Sequence, residues 1–209
     1  MEHSAQSYVP VPRRKVECMS SPQRLLERYV EAKDLTRPYL MEEIYAADAV
    51  LTYSIATHAI AFPSRVKGRE GITRTLVVDF ADRFDRCRTF YVCDSLPPVA
   101  GASLRVPWLV LMRERAASSL RIGKGYYVWE FTQSEPLRVT GMHIHIARMD
   151  SIADPSGSLL SATQAVLPYP WLKPAALGSA FSALLDTSAA LSFLKDFVQP
   201  LDGGVASAR

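Results

Sequence analysis

Apolar positions recur every three or four residues in three stretches of the first half of the chain and alternate with polar ones in most of the rest. Leu25, Leu26, Tyr29 and Val30 follow helical spacing. They come after Ser20-Ser21-Pro22, where a serine can cap free amides and proline suits the first turn. A second helix is expected after Thr36-Arg37-Pro38, with Leu40, Met41, Ile44 and Tyr45 on one face and an end near Asp48. Residues 50–56 and 58–66 read as a strand pair, with Pro63 placing the second at an edge or bulge. Gly68 interrupts. A third helix over 69–84 carries Ile72, Leu76, Phe80 and Phe84 at intervals of four, with Val77 beside them. Strands are then expected over 87–95, 108–118, 120–132 and 139–149. Helices segregated from a mostly antiparallel sheet define an α+β domain, and a sheet this long can curl into a cone that helices close on one side.

That domain is expected to span residues 20–150. Residues 1–19, with Pro10 and Pro12 and no clean period, read as an N-terminal arm. Residues 151–209 read as a helical extension whose apolar stripe runs through Leu177, Phe181, Leu184, Leu185, Leu191, Leu194 and Val198. Something has to cover that stripe, either the domain itself or a second subunit.

Composition narrows the function classes. The chain has 209 residues, 48% of them apolar and 22% charged, with a net charge of +3. This is ordinary for a soluble globular protein. Basic residues cluster only at Arg13-Arg14-Lys15, so no nucleic-acid partner is expected. No uninterrupted apolar run reaches the length of a membrane span. Three cysteines, Cys18, Cys87 and Cys93, have no CxxC spacing, which argues for a reducing, cytoplasmic setting. No dinucleotide, phosphate-loop or nucleophile-elbow motif is present, so no cofactor is expected.

The candidate chemistry lies in residues 125–149. Side chains alternate across a strand, so Tyr127, Trp129 and Phe131 share one face of the first strand, and Gly141, His143 and His145 share one face of the second. Imidazole, phenol and indole on a sheet face suggest a pocket wall that holds a small hydrophobic ligand. A His-x-His pair also offers two metal ligands, but spacing indicates no third from His58 or Asp48, and no metal is expected. The bland alternative stays open: core tyrosines with hydroxyls satisfied by backbone, and a half-buried histidine pair.

Arg28-Tyr29-Val30, Ala46-Ala47-Asp48-Ala49-Val50 and Gly68-Arg69-Glu70-Gly71-Ile72, in this order and spacing, resemble the nuclear transport factor 2-like superfamily. That family has a cone-shaped α+β fold shared by ketosteroid isomerases, polyketide cyclases and scytalone dehydratase. By this resemblance Tyr29 falls at the isomerase's oxyanion-hole tyrosine, Tyr53 at its aspartate base and Tyr127 at its protonated aspartate. Both acids are replaced by phenols, and a phenol with a pKa of about 10 is a poor base at neutral pH. Scytalone dehydratase, with tyrosines and histidines in its pocket, is the closer chemical match, although Val30 stands where that enzyme has an acidic partner. The resemblance implies a lyase, cyclase or isomerase acting on a hydrophobic cyclic carbonyl compound. Tyr29 and Tyr53 would polarise the carbonyl and His143 would be the general base. Tyr127, Trp129, Phe131, Gly141 and His145 would hold the ligand, with a homodimer as the assembly. A non-catalytic binder or an interaction module of the same fold is the alternative.

Overall fold

Ser21 caps the first helix as its sequence suggests, accepting from the Arg24 amide at 3.2 Å, and Pro22 occupies the first turn of α1 (Pro22–Asp34). The structure, a computed structural model, describes residues 21–186 and 189–199; the expected arm over 1–19 and Cys18 lie outside the described residues. The expected stripe of α1 is buried, and so is Lys33 further along it. Leu40, Met41, Ile44 and Tyr45 are buried as a group, but helix α2 (Met41–Ile44) is a single turn. The strand that follows begins at Tyr45, earlier than the expected helix end near Asp48. After Gly68, whose φ of 78° suits glycine, the third helical stretch runs as α3 (Arg69–Thr73), a wider π turn (Arg74–Val78) and α4 (Asp79–Arg83).

The strands are β1 (Tyr45–Ile55), β2 (Arg65–Lys67), β3 (Phe84–Val92), β4 (Ser103–Glu114), β5 (Ser119–Phe131), β6 (Val139–Ala153) and β7 (Trp171–Leu172). They form one open sheet in the order β2-β1-β6-β5-β4-β3-β7, antiparallel except where β1 meets β6 and β3 meets β7. The expected second strand of the first hairpin is cut to three residues, and residues 56–64 are a connecting loop.

Two cores lie on opposite faces of this sheet. The inner face, on the side of α1 and α3, packs Leu26, Tyr29 and Ile72 against Leu51, Trp108, Tyr127, Trp129 and Ile144. The outer face of β3, β4 and β5 packs Phe90, Leu109, Leu111 and Ile122 against the C-terminal residues Leu160, Leu177, Phe181 and Leu194. The apolar stripe of the extension is therefore covered by the chain's own sheet. It is not one helix: it breaks into α6 (Pro174–Leu185), a 3-10 turn (Ala189–Leu194) and α7 (Lys195–Val198). Two elements were not foreseen, α5 (Ser158–Val166) and the edge strand β7. Proline, serine and glycine in this region obscure its period. The extension is also tied to α1, where Trp171 Nε1 donates to Glu27 at 2.8 Å and the Tyr169 hydroxyl donates to Asp34 at 3.1 Å.

Phe181 is fully buried in the outer core. Phe181→Ala is expected to lower stability by about 3–5 kcal/mol, whereas Tyr39→Ala, at a side chain 67% exposed, stays within about 0.5 kcal/mol. Urea unfolding of both variants checks the contrast.

Candidate functional site

A small chamber of about 50 Å³ lies between the inner sheet face and the helices. Tyr29 and Lys33 of α1, Tyr53 of β1, Trp108 of β4 and Tyr127 of β5 are the lining residues whose side chains carry nitrogen or oxygen. Ile144, Ile146, Met149, Val110 and Met112 line the rest of the sheet side. Ile60 and Phe62, from the loop after β1, also line it, and Phe62 stacks on Tyr53 with ring centroids 4.7 Å apart and planes 3° from parallel. The Tyr29 and Tyr53 hydroxyls and the Trp108 Nε1 are buried without a hydrogen-bond partner. The Tyr29 and Tyr127 rings meet edge to face at 5.8 Å, and each phenol influences the other's pKa. Burial pushes the pKa of Tyr29, Tyr53 and Tyr127 well above that of a free phenol, so all three stay protonated.

Lys33 is 6% exposed and stands at the chamber wall. Its ammonium donates to Asp34 at 2.9 Å and to the Cys87 thiol at 3.2 Å, and lies 4.6 Å from the Phe80 ring centre. Burial alone would lower its pKa, but Asp34, Cys87 and Tyr29 outweigh that effect and hold it above the ordinary lysine value. Lys33 is therefore a fixed cation, neither a base nor an amine nucleophile at neutral pH. Asp34 is fully employed, since it also accepts from the Thr89 amide at 2.6 Å, the Thr89 hydroxyl at 3.0 Å and Tyr169. Burial, chiefly, and Asp34 raise the Cys87 thiol to about 12, which leaves it unreactive.

The histidines are elsewhere. β5 pairs with β6 so that Tyr127 stands opposite Ile144, Trp129 opposite Met142, and Val128 opposite His143. Directly opposed residues share a sheet face, so the inward aromatic set of β5 brings Met142, Ile144 and Ile146 inward and sends Gly141, His143 and His145 to the outer face. The expectation that His143 shares a void with Tyr29 and Tyr53 is thus corrected, and so is a ligand-facing position for Gly141 and His145 in that void. Trp129 and Phe131 point inward but are buried in the core away from the chamber lining.

On the outer face the imidazoles form a polar cluster. Thr52 Oγ1 is 2.8 Å from His143 Nδ1, and Ser54 Oγ is 2.8 Å from His143 Nε2 and 2.7 Å from His145 Nδ1. Tyr126 stacks on His145 at 4.6 Å, with the Arg105 guanidinium 3.9 Å from the Tyr126 ring centre. Burial lowers both histidine pKa values, and His143 and Arg105 lower that of His145 further. Gly141 has a packing role: a Cβ there would overlap the Glu130 carboxylate that lies across it.

Lys33, Trp108, Ile60, Phe62, Thr52 and Ser54 escaped the sequence reading. Lys33 alone carried a signal, as a charge four residues after Tyr29 and seven after Leu26 on the same apolar stripe.

No protein-family model and no curated protein sequence matches the chain. Solved structures do. LinA is 16% identical with a TM-score of 0.52, covering 63% of this chain and 86% of that one. The hexachlorocyclohexane dehydrochlorinase LinA-type3 from Novosphingobium barchaimii is 15% identical at 0.50, covering 63% and 87%. A protein provisionally described as a scytalone dehydratase, from Novosphingobium aromaticivorans, is 13% identical at 0.50, covering 63% and 85%.

Lys33→Met strands part of a buried carboxylate and is expected to cost about 3 kcal/mol. A raised lysine pKa stabilises the fold fully below the unfolded value and less above it. The deficit of the variant should therefore stay constant from neutral pH to about pH 10 and shrink beyond, as chemical unfolding across that range will show. The histidines have the opposite sign. Their folded pKa values are depressed, so the stability they confer is present above about pH 6.5 and drains away as pH falls below it. Replacing both with Gln should flatten the loss between pH 7 and pH 5.

Proposed function

From the nuclear transport factor 2-like fold that this chain adopts, we propose that the inner chamber binds a small, largely apolar molecule through an oxygen acceptor. One observation carries the reading: of the four unpaired buried donors among the described residues, on Tyr29, Tyr53, Trp108 and Trp129, three belong to residues that line one chamber beside the cationic Lys33. A buried donor left unpaired costs about 1–3 kcal/mol, and three on one wall are best accounted for by a ligand that satisfies them. Every polar group on this lining is a donor held in its protonated form. A carbonyl, phenolate or carboxylate oxygen complements such a wall, and the surrounding aromatic and aliphatic surface suits a ring.

The same inventory favours binding over proton-transfer catalysis. Among the described residues that line the chamber no carboxylate or imidazole is present, and the phenols and Lys33 are held protonated. Enolisation needs a group to take a proton from carbon, and the histidine assigned that task stands on the other side of the sheet.

The chamber as closed has room for a few water molecules, well below the roughly 300 Å³ of an ordinary ligand site. Admission of a ring therefore requires the lining to move, and the segment of it outside helix and strand is the loop that carries Ile60 and Phe62. Phe62→Ala would enlarge the space and speed entry.

Native mass spectrometry of the purified chain tests for a retained molecule, and cyclohexanone and 2-naphthol, followed by ligand-observed magnetic resonance, serve as defined probes. Tyr29→Phe and Tyr53→Phe are each expected to weaken probe binding about three- to tenfold. Both should leave the free protein at least as stable as before, because each removes an unpaired buried hydroxyl. Lower stability with unchanged probe binding would make the phenols structural and end this reading.

A further inference from the structure

The C-terminal helices cover the outer face over β3, β4 and β5; the polar cluster of β1 and β6 lies beyond them. There a single atom, Ser54 Oγ, is approached by two imidazole nitrogens, His143 Nε2 at 2.8 Å and His145 Nδ1 at 2.7 Å. The two rings aim at one point, although their Cα atoms are two residues apart on one strand. This convergence is geometric, and the inner-chamber function uses neither ring.

We propose that His143 Nε2 and His145 Nδ1 form a two-imidazole binding site for a divalent transition metal, with Cu(II) preferred. Four features support it. The Nδ1 of His143 faces Thr52 Oγ1 at 2.8 Å; donation from that nitrogen leaves the Nε2 lone pair free and fixes the ring, as the outer partner of a metal-bound histidine does. Tyr126, stacked on His145, fixes the second ring. Ser54 can turn aside, since a hydroxyl rotates about one bond, and the cation then takes the place between the nitrogens. His145 shifts its proton from Nδ1 to Nε2 where Nδ1 carried it, so no net proton is released by the ring. The nearby charges oppose one another: Arg105 over Tyr126 disfavours a cation, and Glu130 lies across Gly141, two residues before His143 on the same face.

The described residues hold no group of three or more His, Cys, Asp or Glu placed to share a metal. Water would complete the coordination, and a site with two nitrogens and open oxygen positions suits tetragonal Cu(II) over tetrahedral Zn(II), with Mg(II) excluded by its preference for oxygen.

The test is a Cu(II) titration of the full chain by calorimetry, with His3→Ala throughout so that no N-terminal histidine competes. One equivalent is expected to bind, and His143→Ala or His145→Ala each to weaken binding at least about tenfold while the circular-dichroism spectrum is kept. Mg(II) gives no heat. Electron paramagnetic resonance of the parent complex is expected to show hyperfine splitting from two nitrogens, a readout that survives even if a variant misfolds. Equal Cu(II) affinity in the parent and in the double His→Ala chain, or a spectrum with fewer than two nitrogens, would overturn the proposal.

Discussion

The pairing of β5 with β6 fixes which side chains this protein keeps inside. Trp129 stands opposite Met142 and Tyr127 opposite Ile144, so the large aromatic surface of one strand and the aliphatic surface of the next must lie on the same face. Burying these side chains is worth roughly 1.5–3 kcal/mol for each large apolar group. A shift of one residue would exchange them for two imidazoles and a glycine. The bulge between Lys124 and Gly125 preserves the outcome further along, because it keeps both Ile146 and Met149 on the inner side. At that bulge Gly125 lies so close to the His145 carbonyl that a Cβ would overlap it. The glycine therefore belongs to the register device.

A two-faced sheet with a core on each side follows. The inner core encloses the chamber and the outer core seats the C-terminal helices, and the two communicate through Asp34. Its carboxylate holds Lys33 on the chamber side, the Thr89 amide of β3 and the Tyr169 hydroxyl of the C-terminal segment. This side chain is only 1% exposed, and each of its lone pairs has a donor. The extension thus bears on the chamber: it supplies one of the bonds that keep Asp34, and through it Lys33, in position.

The chamber and the histidine cluster differ in kind because the sheet separates them. Inside, burial keeps phenols and ammonium protonated and makes a wall of donors. Outside, partial burial lowers the pKa of both imidazoles, and Arg105 lowers that of His145 further. Donors suit oxygen acceptors and lone pairs suit cations, so the two proposals assign opposite kinds of recognition to the two faces of one curved sheet.

The sequence alone determined the α+β class, the order of elements from α1 to β6 though not all of their lengths, the buried stripe of α1 and the alternation on each strand. All of these depend on local periodicity, capping and turn residues. The position of Tyr29 was legible for the same reason, as part of the apolar stripe of α1, whereas Tyr53 was singled out only by the family resemblance. Which alternate set of β6 faces inward was decided by the tertiary structure. Alternation defines two faces without naming them, and only the register against Tyr127 and Trp129 makes the choice. The convergence of Trp108, Lys33 and Phe62 on one chamber, and of Ser54 on both imidazoles, likewise joins residues distant in the chain. Contacts of that kind arise from strand order and sheet curvature, which no local pattern of side chains encodes.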